Sequence, residues 1–207
     1  MSIAAQMREA SAQDHKNAES MRFVQQLMGG VLSSNEYVAY LTQLAHVYRA
    51  LESKLADIDV LPFSTSLLRL ENILRDLKAL GAEDWESVAI LKSTTDYGER
   101  LAEIRDHHDI RLVAHHYTRY LGDLSGGQAI GSLVRRHYGL TEEQTTFYKF
   151  DQIKDIVRFK ESYRDSLDAL LLDEEQLNTL LAEVQVAFRL NQALFAELGE
   201  LTPALQH

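Results

Sequence analysis

Apolar residues recur every three to four positions along almost all of this 207-residue sequence, which is the spacing of an α-helix. Proline, which interrupts helices, occurs only twice, at Pro62 and Pro203. No alternating apolar run bounded by turn residues indicates a β-strand. The sequence therefore predicts an all-α fold, organised as a single domain over residues 1–207 without a linker or an internal repeat.

The predicted helices begin after capping residues and end near glycine or proline. Gly29-Gly30 and Gly81 are the clearest stop signals, and Asp173 marks the start of the last helix. The predicted ranges are 3–17, 21–29, 34–57, 65–80, 84–91, 93–106, 109–138, 152–169 and 173–199.

The composition restricts the classes of function. A formal net charge of -10 argues against a general nucleic-acid binder, which needs a basic surface. The absence of cysteine excludes disulfides, zinc–thiolate sites and cysteine nucleophiles. No apolar run approaches the roughly 18 residues of a membrane span, and the first residues do not resemble a secretory signal. We therefore expect a cytoplasmic protein without a membrane anchor.

The segment LVAHHYTRYLGDLSGGQAIGSLVRR has the pattern of one long helix but carries four of the ten glycines of the chain. A glycine inside a helix costs about 1 kcal/mol relative to alanine. Gly122 and Gly126 are four residues apart, as are Gly127 and Gly131, so the glycines form two adjacent stripes. This spacing fits close helix packing and a flat ligand on bare backbone about equally well. Consecutive glycines also predict a loosened hydrogen-bond ladder at Gly126-Gly127.

Two charged side chains accompany the glycines. Asp123 lies between Gly122 and Leu124, and Arg119 lies one turn earlier, at the spacing of an i,i+4 ion pair. If the glycine stripe is the floor of a pocket, Asp123 borders that pocket and can hold ordered water there. The alternative is a solvated surface carboxylate, which is the usual environment of aspartate.

Among the eight histidines, His15 is the best candidate ligand. Arg8 lies two turns before it and Glu19 one turn after it, on roughly one face of a helix. Glu19 could accept a hydrogen bond from the second ring nitrogen, as happens at metal-bound histidines. The spacing alone still favours an ordinary charged surface helix. The Glu-x-x-His signature of di-iron bundles is absent.

Two more polar patterns lie near the C-terminus. Lys160 and Arg164 share a helix face and form either a clamp for carboxylates or a solvated face paired with Glu161 and Asp165. Asn191 lies among aromatic residues at helical spacing, so it is a candidate buried anchor of a water network.

Taken together, these segments resemble a known family. The run HHYTRYLGDLSGGQ closely resembles the signature of the haem oxygenases, and the likeness covers nearly the whole chain. DHKNAESMRFVQQLMGG is similar to the proximal helix of that family, RFKESYR to its propionate-binding helix and AFRLNQALFAEL to its last helix. The resemblance implies a multi-helix fold that holds haem between a proximal helix and a kinked distal helix. The C-terminus resembles the soluble bacterial enzymes, because the animal enzymes carry an apolar anchor.

The resemblance also implies a role for each matching residue. His15 matches the proximal ligand of the haem iron, and Glu19 matches the acid near its free ring nitrogen. Asp123 matches the acid that organises distal water. In that family a hydrogen-bonded network surrounds this water, and its other members match Tyr48, Arg119 and Asn191. The glycines of the distal kink match Gly122 and Gly126. Residues on the propionate side match Lys160, Arg164, Tyr117 and Arg8, the last standing where the mammalian enzymes carry lysine.

The implied activity is oxidative cleavage of haem b, which is both cofactor and substrate, at the α-meso carbon. The products would be biliverdin, carbon monoxide and ferrous iron, with dioxygen as co-substrate. A ferredoxin or an NAD(P)H-dependent reductase would supply the electrons, and we expect a monomer.

Three alternatives are less consistent with the sequence. A haem-binding protein without turnover gives no reason for Asp123 beside the glycines. A thiaminase-like enzyme on a related fold needs a catalytic cysteine, which this chain lacks. A helical interaction bundle does not explain the combined motif.

Overall fold

The computed structural model describes residues 1–55, 64–106 and 108–202. Within these ranges the regular structure is helical and contains no strand, which confirms the predicted fold class. The α-helices are α1 (Ile3–Ala10), α2 (Ala12–Glu19), α3 (Arg22–Gly29), α4 (Ser34–Leu55), α5 (Leu70–Ala79), α6 (Lys92–Glu103), α7 (Arg111–His116), α8 (Gly122–Tyr138), α9 (Ile156–Asp168) and α10 (Glu174–Leu201). Tyr117–Leu121 form a π-helical turn that joins α7 to α8.

The helix predicted over residues 3–17 is two helices that meet at Ser11. The hydroxyl of Ser11 donates to the carbonyl oxygen of Met7 over 2.8 Å, a contact of the kind that bends helices. As a result, α2 is a separate helix, and it carries both His15 and Glu19.

The helix predicted over residues 84–91 is wrong. Only a single 3₁₀ turn forms there, at Trp85–Ser87. Gln43 of α4 accounts for the difference, because its side chain binds the backbone of the segment that follows. Its amide nitrogen donates to the carbonyl oxygen of Ala89 over 3.1 Å, and its oxygen accepts from the N–H of Leu91 over 3.0 Å. These contacts hold the backbone groups that a helix would have used.

The helix predicted over residues 65–80 is also shortened. It begins at Leu70, where Glu52 of α4 caps α5 by accepting from the backbone N–H groups of Arg69 and Leu70 over 2.6 and 3.0 Å. The other predicted helices agree with the structure to within a few residues, although residues 56 and 57 of the third one lie outside the described part.

The last helix, α10, is central to the packing. Its N-terminus is closed by a capping box in which Asp173 and Gln176 bind each other's backbone N–H groups. From there α10 packs against α1, α2, α3, α6, α7 and the π-helical turn. This arrangement lets one helix contact both the N-terminal helices and the glycine-containing segment. None of the described helices combines the length and apolar character needed to cross a bilayer.

Candidate functional site

The two glycine stripes of α8 have different environments. A Cβ placed on Gly131 would lie 2.7 Å from Cβ of Tyr148, and one on Gly127 would lie 3.9 Å from the ring of the same tyrosine. Both glycines are buried. Of the two explanations that the spacing leaves open, close packing is therefore the one that applies to the stripe of Gly127 and Gly131.

The stripe of Gly122 and Gly126 is open instead. Within residues 1–55, 64–106 and 108–202, a Cβ on Gly122 would have nothing within 4 Å, and one on Gly126 would meet only the end of the Ile130 side chain at 3.6 Å. Since neither glycine is required by a neighbouring element, helix packing does not explain this stripe. The open backbone is available for a ligand.

The irregularity of this segment lies before the double glycine. The π-helical turn Tyr117–Leu121 ends directly before Gly122, and α8 continues without a break through Gly126-Gly127. The predicted loosening at the double glycine is therefore wrong in position. The wider turn instead accommodates Arg119, which is buried.

A hydrogen-bonded network runs from Arg119 to the glycine stripe. Arg119 donates to the hydroxyl of Tyr48 on α4 through Nε over 3.2 Å and through Nη2 over 3.0 Å. The Tyr48 hydroxyl in turn donates to Oδ2 of Asp123. Arg119 Nη1 also donates to Oδ1 of Asn191 on α10 over 2.5 Å. In the described residues Arg119 and Asp123 are thus joined through Tyr48, and the direct pair suggested by their spacing does not form.

The position of Asp123 changes its proton affinity. Burial raises the pKa of this carboxyl above its usual range, although the charge of Arg119 and the hydrogen bond from Tyr48 act in the opposite direction. Burial likewise raises the pKa of the Tyr48 hydroxyl, which therefore remains a donor. The arrangement places a carboxyl with increased proton affinity beside the open glycine stripe.

His15 lies on the accessible face of α2. Its side chain is 56% exposed, and Nδ1 lies 3.6 Å from a carboxylate oxygen of Glu19. The ring also lies 6.0 Å, centroid to centroid, from Phe188 of α10. Because Nδ1 faces Glu19, Nε2 is the ring nitrogen left to bind a metal.

The predicted cations gather around Tyr117. Burial raises the pKa of Tyr117, and the nearby charges of Arg164 and Arg8 lower it, so α1, α9 and the π-helical turn bring these three residues together. Lys160 lies one turn before Arg164 on α9. Among the described residues, no carboxylate forms an ion pair with Arg8, Lys160 or Arg164. The alternative in which Glu161 and Asp165 neutralise the pair is therefore not supported.

The structure adds three residues that the sequence did not identify. Tyr97, His115 and Glu183 are buried and lie within hydrogen-bonding distance of one another, with His115 between the other two. One signal was available for Glu183, because an acid three residues after Leu180 and four before Ala187 lies on the apolar face of its helix.

Comparisons with known proteins agree with this geometry. The family model described as Heme oxygenase matches residues 1–197. The haem oxygenase of Porphyra purpurea is 36% identical over 205 residues, which cover 96% of this chain and 87% of that protein. The haem oxygenase of Rhodella violacea is 32% identical over 204 residues, which cover 95% of this chain and 87% of that protein.

Solved structures show the same relationship. The haem oxygenase of Leptospira interrogans superposes with a TM-score of 0.88 at 34% identity, covering 95% of this chain and 100% of that one. Haem oxygenase-1 of the cyanobacterium Synechocystis, in complex with haem, superposes with a TM-score of 0.89 at 31% identity, covering 96% and 92% of the two chains. The chain therefore belongs to the haem oxygenase family of haem-degrading enzymes.

Proposed function

We propose that this protein cleaves haem b at the α-meso carbon to biliverdin, carbon monoxide and ferrous iron. Dioxygen is the co-substrate, and an external ferredoxin or NAD(P)H-dependent reductase supplies the electrons. The observation that carries the proposal is the network through Tyr48 to Asp123, which ends beside the open stripe of Gly122 and Gly126. A protein that only binds haem has no need of a carboxyl held in this way.

The residues present fit a haem group. The open backbone at Gly122 and Gly126 leaves room for a flat macrocycle, since side chains there would project into that space. His15 offers an accessible imidazole whose Nδ1 faces Glu19. Three cations that form no ion pair with a carboxylate in the described part of the chain match the two propionate groups of haem b, which need positive charge nearby.

When bound, haem supplies the iron that activates dioxygen and the carbon that is oxidised. On the proximal side, Nε2 of His15 would bind the iron. The carboxylate of Glu19, 3.6 Å from Nδ1, favours a hydrogen on that nitrogen and so leaves Nε2 free for the metal. Phe188, which packs beside the same ring, limits its tilt.

On the distal side, Asp123 governs the proton supply. The hydroxyl of Tyr48 occupies Oδ2, so Oδ1 of Asp123 is the oxygen left to hold a water molecule beside the glycine stripe. The raised pKa of this carboxyl lets it take up a proton and return it at neutral pH more readily than an exposed aspartate. Arg119 stays charged and keeps the Tyr48 hydroxyl oriented toward Asp123.

The side chains near the propionate groups determine which edge of the substrate reacts. Lys160, Arg164 and Arg8 would bind the two carboxylates, and the hydroxyl of Tyr117 lies near the charges of Arg164 and Arg8. Anchoring at this end would fix which edge of the substrate faces the distal residues. We therefore assign the choice of meso carbon to these four side chains.

The test is turnover of hemin with a generic chemical reductant, in which the biliverdin isomer and carbon monoxide are measured together. We expect α-biliverdin and about one equivalent of carbon monoxide from the wild-type protein. Asp123→Ala should bind hemin and give little biliverdin, while Asp84→Ala, which changes an exposed carboxylate, should behave as wild type. Hemin that is bound and recovered intact from the wild-type protein would contradict the proposal.

The electron donor, the monomeric state, the cytoplasmic location and the single domain over residues 1–207 stay predictions. The last of these is supported by a hydrophobic core with members from α1 to α10 in the described part of the chain.

A further inference from the structure

A buried hydrogen bond joins the helix that carries the cations to the helix that leads into the glycine segment. The hydroxyl of Tyr163 on α9 lies 2.7 Å from Nδ1 of His116, the last residue of α7. His116 is fully buried, and Tyr163 is 5% exposed. Their rings are also stacked, with centroids 5.5 Å apart and planes 7° from parallel. The two side chains therefore meet in one defined orientation.

The chemistry of the two groups sets the direction of this hydrogen bond. Burial raises the pKa of the Tyr163 hydroxyl well above its usual range, so the hydroxyl keeps its hydrogen. Burial lowers the pKa of His116 to about 3, so the imidazole is neutral at pH 7 and one ring nitrogen can accept. In the described part of the chain the Tyr163 hydroxyl has no other hydrogen-bond partner. Tyr163 therefore donates to Nδ1 of His116.

This contact is one of few hydrogen bonds that hold α9 in place. Within the described residues, two hydrogen bonds join α9 to other helices. One lies at its C-terminal end, where the N–H of Ala4 on α1 donates to Oδ1 of Asp168 over 2.8 Å. The other is the bond from Tyr163 to His116. The position of α9 relative to α7 thus depends on the second bond.

The residues next to this hydrogen bond are those on the propionate side. Lys160 lies one turn before Tyr163, and Arg164 follows it directly. Across the contact, Tyr117 follows His116 and begins the π-helical turn. The charge of Arg164 acts on the hydroxyl of Tyr117, so the neighbours of the two bonded residues are also close to each other. The bond therefore sets where these cations stand relative to the π-helical turn.

We propose that His116 is a positioning residue that determines which meso carbon reacts. The chain continues from α7 through the π-helical turn into α8, so His116 and Asp123 belong to one run of helix. By accepting from Tyr163, His116 holds Lys160 and Arg164 in a fixed place relative to Asp123. Anchoring of the propionates and supply of the proton then stay aligned on one edge of the substrate. This inference rests on the proposed function and adds a residue that controls its product.

Four variants separate the hydrogen bond from the packing around it. Tyr163→Phe removes the hydroxyl and keeps the ring, and His116→Leu removes the acceptor. His116→Asn is the conservative variant, because Oδ1 of asparagine can accept where Nδ1 does. Tyr138→Phe is the matched control. The hydroxyl of Tyr138 also joins two helices, donating to the carbonyl oxygen of Leu27 on α3 over 3.1 Å, but it lies at the C-terminal end of α8.

Hydrogen exchange of the backbone amides of α9 is measured first, on the protein without haem. We expect exchange about tenfold faster than wild type in Tyr163→Phe and His116→Leu, because losing one buried hydrogen bond shifts the local opening equilibrium by about that factor. The rates in His116→Asn and Tyr138→Phe should stay within about twofold of wild type. Unchanged exchange in Tyr163→Phe, or equal acceleration in Tyr138→Phe, would overturn the proposal.

The ratio of biliverdin isomers is measured next, after a single turnover of hemin with a chemical reductant. In Tyr163→Phe and His116→Leu, the ratio of the major isomer to the others should fall about tenfold, with the total yield within about twofold of wild type. His116→Asn should restore the wild-type ratio, whereas a general loss of stability would not be reversed in this way. One unmixed isomer from both variants, or a mixture from Tyr138→Phe, would also overturn the proposal.

The two measurements separate this inference from the proposed function. A wild-type protein that forms no biliverdin would contradict the proposed function and, with it, the control of the product by His116. The exchange of the α9 amides would still show whether His116 holds that helix, since no haem takes part in that measurement.

Discussion

The hydroxyl of Tyr48 accepts from the guanidinium of Arg119 and donates to the carboxylate of Asp123, so one side chain of α4 joins two residues of the segment that carries the glycines. Tyr48→Phe should therefore leave the buried guanidinium with one acceptor fewer and Asp123 without its donor. We expect a loss of about 1–3 kcal/mol in the free energy of unfolding and a large fall in biliverdin yield at nearly unchanged hemin affinity.

Tyr120→Phe is the control for this variant. Tyr120 packs near Tyr48, with ring centroids 5.9 Å apart, but its hydroxyl donates to Glu52 over 3.2 Å and not to Asp123. It should lose stability and retain biliverdin formation. Urea unfolding and single-turnover yield measure the two effects separately, and equal yields from both variants would contradict the role given to Tyr48.

The two glycine stripes predict opposite effects of the same substitution. Gly131→Ala puts a methyl group 2.7 Å from Cβ of Tyr148 and should cost about 1–3 kcal/mol through overpacking. Gly126→Ala meets only a contact of ordinary length and should stabilise the protein without haem by up to about 1 kcal/mol. The same methyl group should weaken hemin binding. Thermal unfolding without hemin, followed by hemin titration, checks both parts.

The cations of α9 predict that hemin affinity and the identity of the biliverdin isomer depend on the propionate carboxylates of the substrate. Replacing Lys160 and Arg164 together by alanine should lower hemin affinity and give a mixture of biliverdin isomers. The loss of affinity should largely disappear with hemin dimethyl ester, which has no propionate charge. Arg158→Ala removes an exposed cation of the same helix and should leave the product a single isomer. An unmixed product from the double variant would argue against the clamp.

The lowered pKa of Glu183 predicts how the free energy of unfolding depends on pH. Its pKa is about 2 in the folded protein against 4.5 for an ordinary glutamate, so the unfolded chain binds the proton more tightly. The stability that Glu183 contributes is complete above pH 4.5 and is lost as the pH falls toward 2, by about 3 kcal/mol in all. Glu183→Gln should flatten this part of the curve. Denaturant unfolding between pH 2 and 6 measures it, and parallel curves for the two proteins would refute the assignment.

Much of the fold could be predicted because apolar spacing reports helices directly. The exceptions have local causes that spacing does not contain. Gln43 belongs to α4, and nothing near residues 88–91 indicates that its side chain will hold that segment extended. The break at Ser11 depends on one side chain turning back onto its own helix.

The candidate site was harder to predict than the fold, because its residues are far apart in the sequence. Tyr48 and Asp123 are 75 residues apart, so their contact was expected only through the family resemblance. The glycines showed that something approaches the backbone, but spacing could not separate a stripe that packs on Tyr148 from one that faces open space. That distinction depends on which side of α8 the short turn Thr146–Tyr148 covers.

The π-helical turn Tyr117–Leu121 also determines how α8 is rotated about its own axis relative to α7. Each residue of an α-helix turns the chain by about 100°. Removing one residue from this turn would rotate α8 by roughly that angle relative to α7. Tyr148 would then meet a different side of α8, and Gly122 and Gly126 would point away from their present direction. The length of this short segment is therefore what keeps the carboxyl of Asp123, and the bare backbone beside it, in register with Tyr48 of α4.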